Sequence, residues 1–128
     1  MNEIEHAAGL APTPGYRYAE RVRSRLHIAG QVPLDGDGAL VGGGDVGQQA
    51  VQCLANLEVL VQAHGFERRH IRQLTVYVVG PQANLTDAWR AVARTFGGEV
   101  PPATLLGVHL LGYEGQLVEI DATIERDD

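Results

Sequence analysis

The sequence predicts a two-layer α+β domain, with helices on one side of a mixed β-sheet. Three observations predict it. The elements follow the order β-β-(short β)-α-β-α-β-β. Both helical stretches carry an apolar stripe along one side only. The last third, Pro101 to Ile124, reads as two strand patterns around a turn at Gly112–Gly115. In the second strand Val118, Ile120, Ala122 and Ile124 share one face. Leu117, Glu119, Asp121, Thr123 and Glu125 share the other, because strand side chains alternate with period two. The first face suits a core. The second puts acids on a sheet, where a carboxylate must be hydrated, hydrogen-bonded or used. As a bare pattern it is an ordinary solvent face.

With 128 residues the chain has room for one domain and a single core. Residues 1–14 read as an irregular lead-in, with A-P-T-P-G closing it at Gly15. Tyr18 to Gln31 reads as a hairpin in which Arg21, Arg23 and Arg25 form a solvated strand face. Pro33 to Gly44 is a turn region containing L-D-G-D-G and a short A-L-V strand. Asp35-Gly36-Asp37-Gly38 begins like a calcium loop but lacks the later ligands and the closing glutamate. Gly42, Gly44 and Gly47 fit G-x-G-x-x-G, yet a dinucleotide site needs a strong strand before it and a wound parallel sheet around it.

Asp45 is placed to cap a helix running to about Ala63, with Ala50, Leu54, Leu57 and Val61 as its buried stripe. Gln48, Gln49, Gln52, Asn56 and Glu58 then face outward, Cys53 is a core thiol, and Gly65 stops the helix. Ile71 to Val79 is the strongest strand, with Leu74, Val76 and Val78 opposite Thr75, Tyr77 and Val79. Gly80-Pro81 ends it. Asn84 or Thr86 is expected to cap a second helix that ends near Phe96 and buries Leu85, Trp89 and Val92. With both helices on one side, Tyr77, Leu105 and Leu117 are expected on the uncovered sheet face. Exposed apolar patches of that kind mark assembly surfaces, so a homo-oligomer is expected, with Glu119 near a subunit interface.

Composition excludes several chemistries. The net charge of −6 gives no general attraction to nucleic acid or anionic membrane. All ten basic residues are arginine, which rules out a lysine Schiff base, a pyridoxal phosphate anchor and a Walker A loop. Aromatic content of 5% argues against a base-stacking surface. His6, His27, His64, His70 and His109 have no metal-ligand spacing, so no metal is expected; His27 and His109 read as strand residues. One cysteine, an acidic start without the regions of a secretion signal, and no apolar run of ~20 residues fit a cytoplasmic protein.

The segments G-Y-R-Y-A, H-I-A-G-Q-V-P, Q-A-V-Q-C-L-A-N-L, Q-L-T-V-Y-V and V-E-I-D-A-T-I resemble the RidA (YjgF) family of reactive intermediate deaminases. The resemblance runs from about Gly9 to the end of the chain. It implies a chorismate-mutase-like fold and a homotrimer whose sheets form a central barrel. It also implies small-molecule sites in the three clefts between subunits, and no metal or organic cofactor. Deaminase members hydrolyse imines or enamines, such as 2-aminoacrylate, to a keto acid and ammonia. In them an arginine of a P-A-R-S/T motif clamps the substrate carboxylate, and a glutamate of V-E-I-E orients water.

Carried onto this chain, the resemblance makes Glu119 the catalytic residue, with Asp121 as the second acid. Gly30 lines the cleft, the cleft tyrosine is Tyr16 or Tyr18, and Thr86 falls near an asparagine that precedes the second helix. P-P-A-T puts Ala103, or Thr104 after a one-residue slip, where the arginine should be. The guanidinium is therefore absent from this position. The expected function is cofactor-free hydrolysis of a small imine or enamine to a carbonyl compound and ammonia, on a neutral or differently anchored substrate. The alternatives are a non-catalytic, ligand-binding or regulatory trimer and a different reaction in the same cleft. An endoribonuclease role would need a local arginine stripe.

Overall fold

The computed structural model describes residues 3–127. Five strands form one mixed sheet in the order β1-β2-β5-β3-β4. The expected hairpin is β1 (Ala19–Val22) with β2 (Arg25–Ile28). Arg23 lies in its two-residue turn at φ 57°, so Arg21 and Arg25 belong to strands and Arg23 does not. The A-L-V strand reduces to one bridge between Leu34 and Leu40.

Helix α2 (Val46–Ala63, after a short α1) starts where its cap predicts: Asp45 Oδ1 accepts the Gln48 N–H at 3.0 Å. Strand β3 (Ile71–Val79) buries Leu74, Val76 and Val78 completely and leaves Thr75, Tyr77 and Val79 half-buried, as alternation requires. Helix α3 (Gln82–Thr95) begins earlier than expected, directly after Pro81. Proline has a fixed φ and needs no N–H there. Asn84 instead turns its amide back onto the Val79 carbonyl at 2.9 Å, tying the helix to β3. Strand β4 (Ala103–Val108) then returns parallel to β3, completing a β-α-β unit. Strand β5 (Val118–Glu125) lies in the middle, antiparallel to both β3 and β2.

Leu54, Leu57 and Val61 of α2 and Ala88 and Val92 of α3 join Val76, Val78, Val118, Ile120 and Ile124 in one core. Each such leucine or valine contributes about 1.5–3 kcal/mol by leaving water. The register aligns Tyr77, Glu119 and Leu106 across the opposite face, and Thr75, Asp121 and Thr104 beside them. Leu105 is not on that open face: it pairs with Val76 and packs against the core, and Leu106 takes the outer position. Leu117 likewise packs against the core from just outside β5. Two adjacent leucines satisfy either alternation, so only pairing decides which one faces in.

The lead-in is not wholly irregular. Residues Glu3–Ala7 form helix α1, while Met1 and Asn2 lie outside the described residues. Glu5 is 1% exposed and meets His64 Nε2 at 2.9 Å, beyond the end of α2. A buried carboxylate needs such a partner, and that need docks the segment. Among the described residues no helix is long and apolar enough to cross a membrane.

Candidate functional site

The site centres on Glu119, half-buried on the open face of β5. One carboxylate oxygen, Oε1, accepts from Gln116 Nε2 at 3.3 Å. The other, Oε2, lies against Gly30, where a Cβ would collide with it. Gln116 is itself 4% exposed and fully engaged. Its amide also donates to the Val118 carbonyl at 3.0 Å, and its Oε1 accepts the Tyr113 N–H at 3.1 Å. One side chain therefore fixes both the acid and the turn that carries Tyr113.

Burial first, then the neighbouring Tyr113 and Tyr18 and the Glu119 carboxylate, push the Tyr16 phenol well above its ordinary 10.0. Tyr16 is thus a neutral hydroxyl beside the acid. Tyr18 does different work: its hydroxyl donates to the Ala11 carbonyl at 2.8 Å in a buried position, and its ring meets Tyr16 edge-on at 6.4 Å.

Helix α2 supports the cleft from behind. Gln49, expected outside, is 0% exposed. Its Oε1 accepts the Leu117 N–H at 2.7 Å, and its amide donates to Gly115 and Gly42 carbonyls at 3.1 and 3.2 Å. One turn on, Cys53 Sγ approaches the Val118 carbonyl at 3.6 Å. Burial pushes this thiol far above its ordinary 9.0, so it is a core group and a poor nucleophile.

The other sequence candidates separate. Thr104 lies on the Glu119 face, in register with Thr75 and Asp121, whereas Ala103 pairs with Leu74 on the helix side. Of the two, only Thr104 lies on the open face. Thr86 is exposed inside α3, not before it, and donates to the Gln82 carbonyl at 3.3 Å. His27 is on β2 and exposed, and His109 lies just past β4, outside any strand. Tyr113, Gln116 and Gln49 went unrecognised in the sequence. The only signal for the first two was that G-Y-E-G-Q leads directly into V-E-I-D. Among the described residues no group of three or more His, Cys, Asp or Glu could hold a metal.

A groove of about 560 Å³ lies elsewhere, between α2 and α3, lined by Gln48, Gln52, Asp87, Arg90 and Arg94 among others. Its Arg90–Asp87 pair is loose, 3.5 Å apart on exposed side chains. Such pairs are worth little and position nothing. The held carboxylate at Glu119 is the better-built site.

The sequence profile of the family described as Endoribonuclease L-PSP matches residues 7–125. A RutC family protein of Pyrococcus horikoshii is 28% identical over 121 residues, spanning 91% of this chain and 93% of its own. Among solved structures, YyfA of Yersinia pestis, described as a Rid-family protein of unknown function, has 26% identity and a TM-score of 0.81, covering 92% and 94% of the two chains. The YjgF gene product of E. coli is 22% identical with a TM-score of 0.82, covering 93% and 94%. With nearly its whole length inside the profile, the chain belongs to the Endoribonuclease L-PSP family, the RidA/YjgF family.

Proposed function

We propose that the chain is a cofactor-free hydrolase of a small imine or enamine, acting as a homotrimer in clefts between subunits. The observation that carries this reading is the held carboxylate. Glu119 is fixed by Gln116, the missing side chain at Gly30 makes room for its Oε2, and the Tyr16 phenol, held protonated, feels the carboxylate. An imine carbon is already electrophilic, so the protein must position water and move protons. Glu119 takes a proton as water attacks that carbon, and returns it to the nitrogen as ammonia leaves. Tyr16 donates a hydrogen bond without ionising. The half-buried Tyr77 and Leu106, with no helix above them, support burial of this face against further copies.

A second reading is a trimer that binds a small molecule without turning it over. The neutral Ala103 and Thr104, where the family's clamp would stand, favour it. The ribonuclease activity in the family's description gains little support from a chain of net charge −6 with acids on its open face.

The test is to generate 2-aminoacrylate and bulkier imines in situ and follow their decay with wild type, Glu119→Gln and Thr104→Arg. Acceleration by wild type that Glu119→Gln abolishes supports the hydrolase. No acceleration by wild type, with turnover appearing only in Thr104→Arg, supports the binding trimer. Light scattering that returns a single chain of 13.8 kDa rules out the trimer.

A further inference from the structure

We infer that the Glu119 cleft selects a cationic imine derived from a simple amine, not the imine of an amino acid. This inference rests on the hydrolase reading and names its substrate class.

The argument begins with charge. Glu119 and Asp121 are two residues apart on β5 and point to the same open face. Neither belongs to an ion pair among the described residues, and their partners on β3 are the uncharged Tyr77 and Thr75. The partner of Thr75 on β4 is the uncharged Thr104. The hairpin does not supply the charge from within the chain. Arg17 is paired with Glu20 at 2.9 Å, and Arg21 stacks over Phe66. Arg25 aligns with Glu125, six positions along β5 from Glu119, which is about 20 Å of strand.

From its own chain a substrate carboxylate here would face two acids and no paired cation, and like charges at close range are a strong device against a ligand. A protonated imine meets the opposite situation. Two carboxylates attract it, and the residue paired with Glu119 across the sheet is the uncharged, aromatic Tyr77. Protonation also makes the imine carbon more electrophilic, so binding and activation favour the same form. The step balances: R–CH=NH2⁺ and water give R–CHO and NH4⁺. Water's oxygen bonds to carbon, the C–N bond breaks, and both protons of water leave with nitrogen. The reaction that supplies this substrate is a two-electron oxidation of a primary amine, and one that consumes aldehyde follows.

The experiment has two arms on the full chain. The first titrates unreactive probes at pH 7 by calorimetry: acetamidine against acetate, and benzamidine against benzoate. The expected result is that each amidine binds at least about ten-fold tighter than its carboxylate, a gap of ~1.4 kcal/mol. The preference should collapse in Glu119→Gln and in Asp121→Asn but persist in Glu125→Gln, which removes an acid from the far end of β5. Equal or tighter binding of the carboxylates, or no binding of either, overturns the inference. So does a preference that Glu125→Gln abolishes equally, since that reports only the net charge. The second arm compares decay of an amine-derived imine with that of the 2-imino acid bearing the same side chain. Faster decay of the amine-derived imine is expected. Acid-dependent amidine binding without turnover of any imine retains the cation preference and removes the hydrolase. Turnover of the 2-imino acid alone retains the hydrolase and removes this inference.

Discussion

Gly30 and Glu119 stand so close that a methyl group on the glycine would occupy the space of the glutamate's Oε2. The atom in the way is the end of a flexible side chain, so Gly30→Ala should fold and keep its melting midpoint within a few degrees. It should displace the carboxylate instead. A shift of about 1 Å in a positioned group can cost on the order of 10²-fold in rate. We expect a loss of that size in imine turnover, checked by in-situ decay assays beside thermal melts. A drop in stability matching the drop in rate would contradict this.

Glu119→Gln preserves shape and the contact with Gln116 while removing the base. General acid–base catalysis supplies roughly 10²–10⁴-fold. The variant should lose turnover by about that factor while scattering light at the same mass as wild type.

Tyr16 and Tyr18 are neighbours in contact with opposite expected phenotypes. Tyr18→Phe removes a buried hydrogen bond to the Ala11 carbonyl and should cost ~1 kcal/mol of stability with little change in turnover. Tyr16→Phe should leave denaturant midpoints nearly unchanged and slow turnover. Paired unfolding and kinetic measurements on the two variants separate them.

Gln49→Leu should be among the most damaging single changes outside the apolar core. It strips the side-chain partner from the Leu117 N–H and from the Gly115 carbonyl, while the Gly42 carbonyl keeps the Asp45 N–H. A buried group left without a partner costs roughly 1–3 kcal/mol. The melting midpoint should fall by on the order of 5–10 °C, and Glu119 should lose precision with the loop that precedes it.

The pH dependence has a definite sign. Tyr16, Tyr18 and Cys53 all have raised values in the folded chain, mainly through burial, against ordinary values of 10.0, 10.0 and 9.0. Below those values native and unfolded states both hold the protons, and the contribution is fully present. As pH rises through them only the unfolded chain ionises, so stability falls. Denaturation midpoints should be level with respect to these groups up to about pH 8 and decline from about pH 9. The folded protein should resist thiol-reactive dyes at neutral pH, and denaturant should restore the reaction at Cys53.

Much of the scaffold was legible because local chemistry and tertiary packing agree. Asp45 caps α2 through its own side chain, and the alternation in Ile71–Val79 is the burial pattern of β3. The errors fall where a residue's environment comes from far along the chain. Gln49 is polar and helical, which reads as surface, but its partners lie 66 and 68 residues away. Glu5 looked like part of a loose tail because nothing nearby in sequence announces His64. Which of Ala103 and Thr104 faces outward depends on the register of β4 against β3, which a single residue of slip reverses. Glu119 and Gly30 were legible as types, through the resemblance. Gln116 and Tyr113, which hold the acid and reach the phenol, were hidden in a segment read only as a turn.

The central place of β5 also governs how the molecule comes into being. Until Val118–Glu125 exists, the β1–β2 hairpin and the β3–α3–β4 unit have no strand between them. As the nascent chain emerges, two half-sheets must wait with open edges on either side of an empty lane. Those edges are ready templates for pairing with another chain. The strand that carries Glu119 is therefore also the clasp that ends this vulnerable interval. Substitutions in β5 that slow its insertion should reveal themselves first as aggregation during synthesis, before any change in the finished protein can be measured.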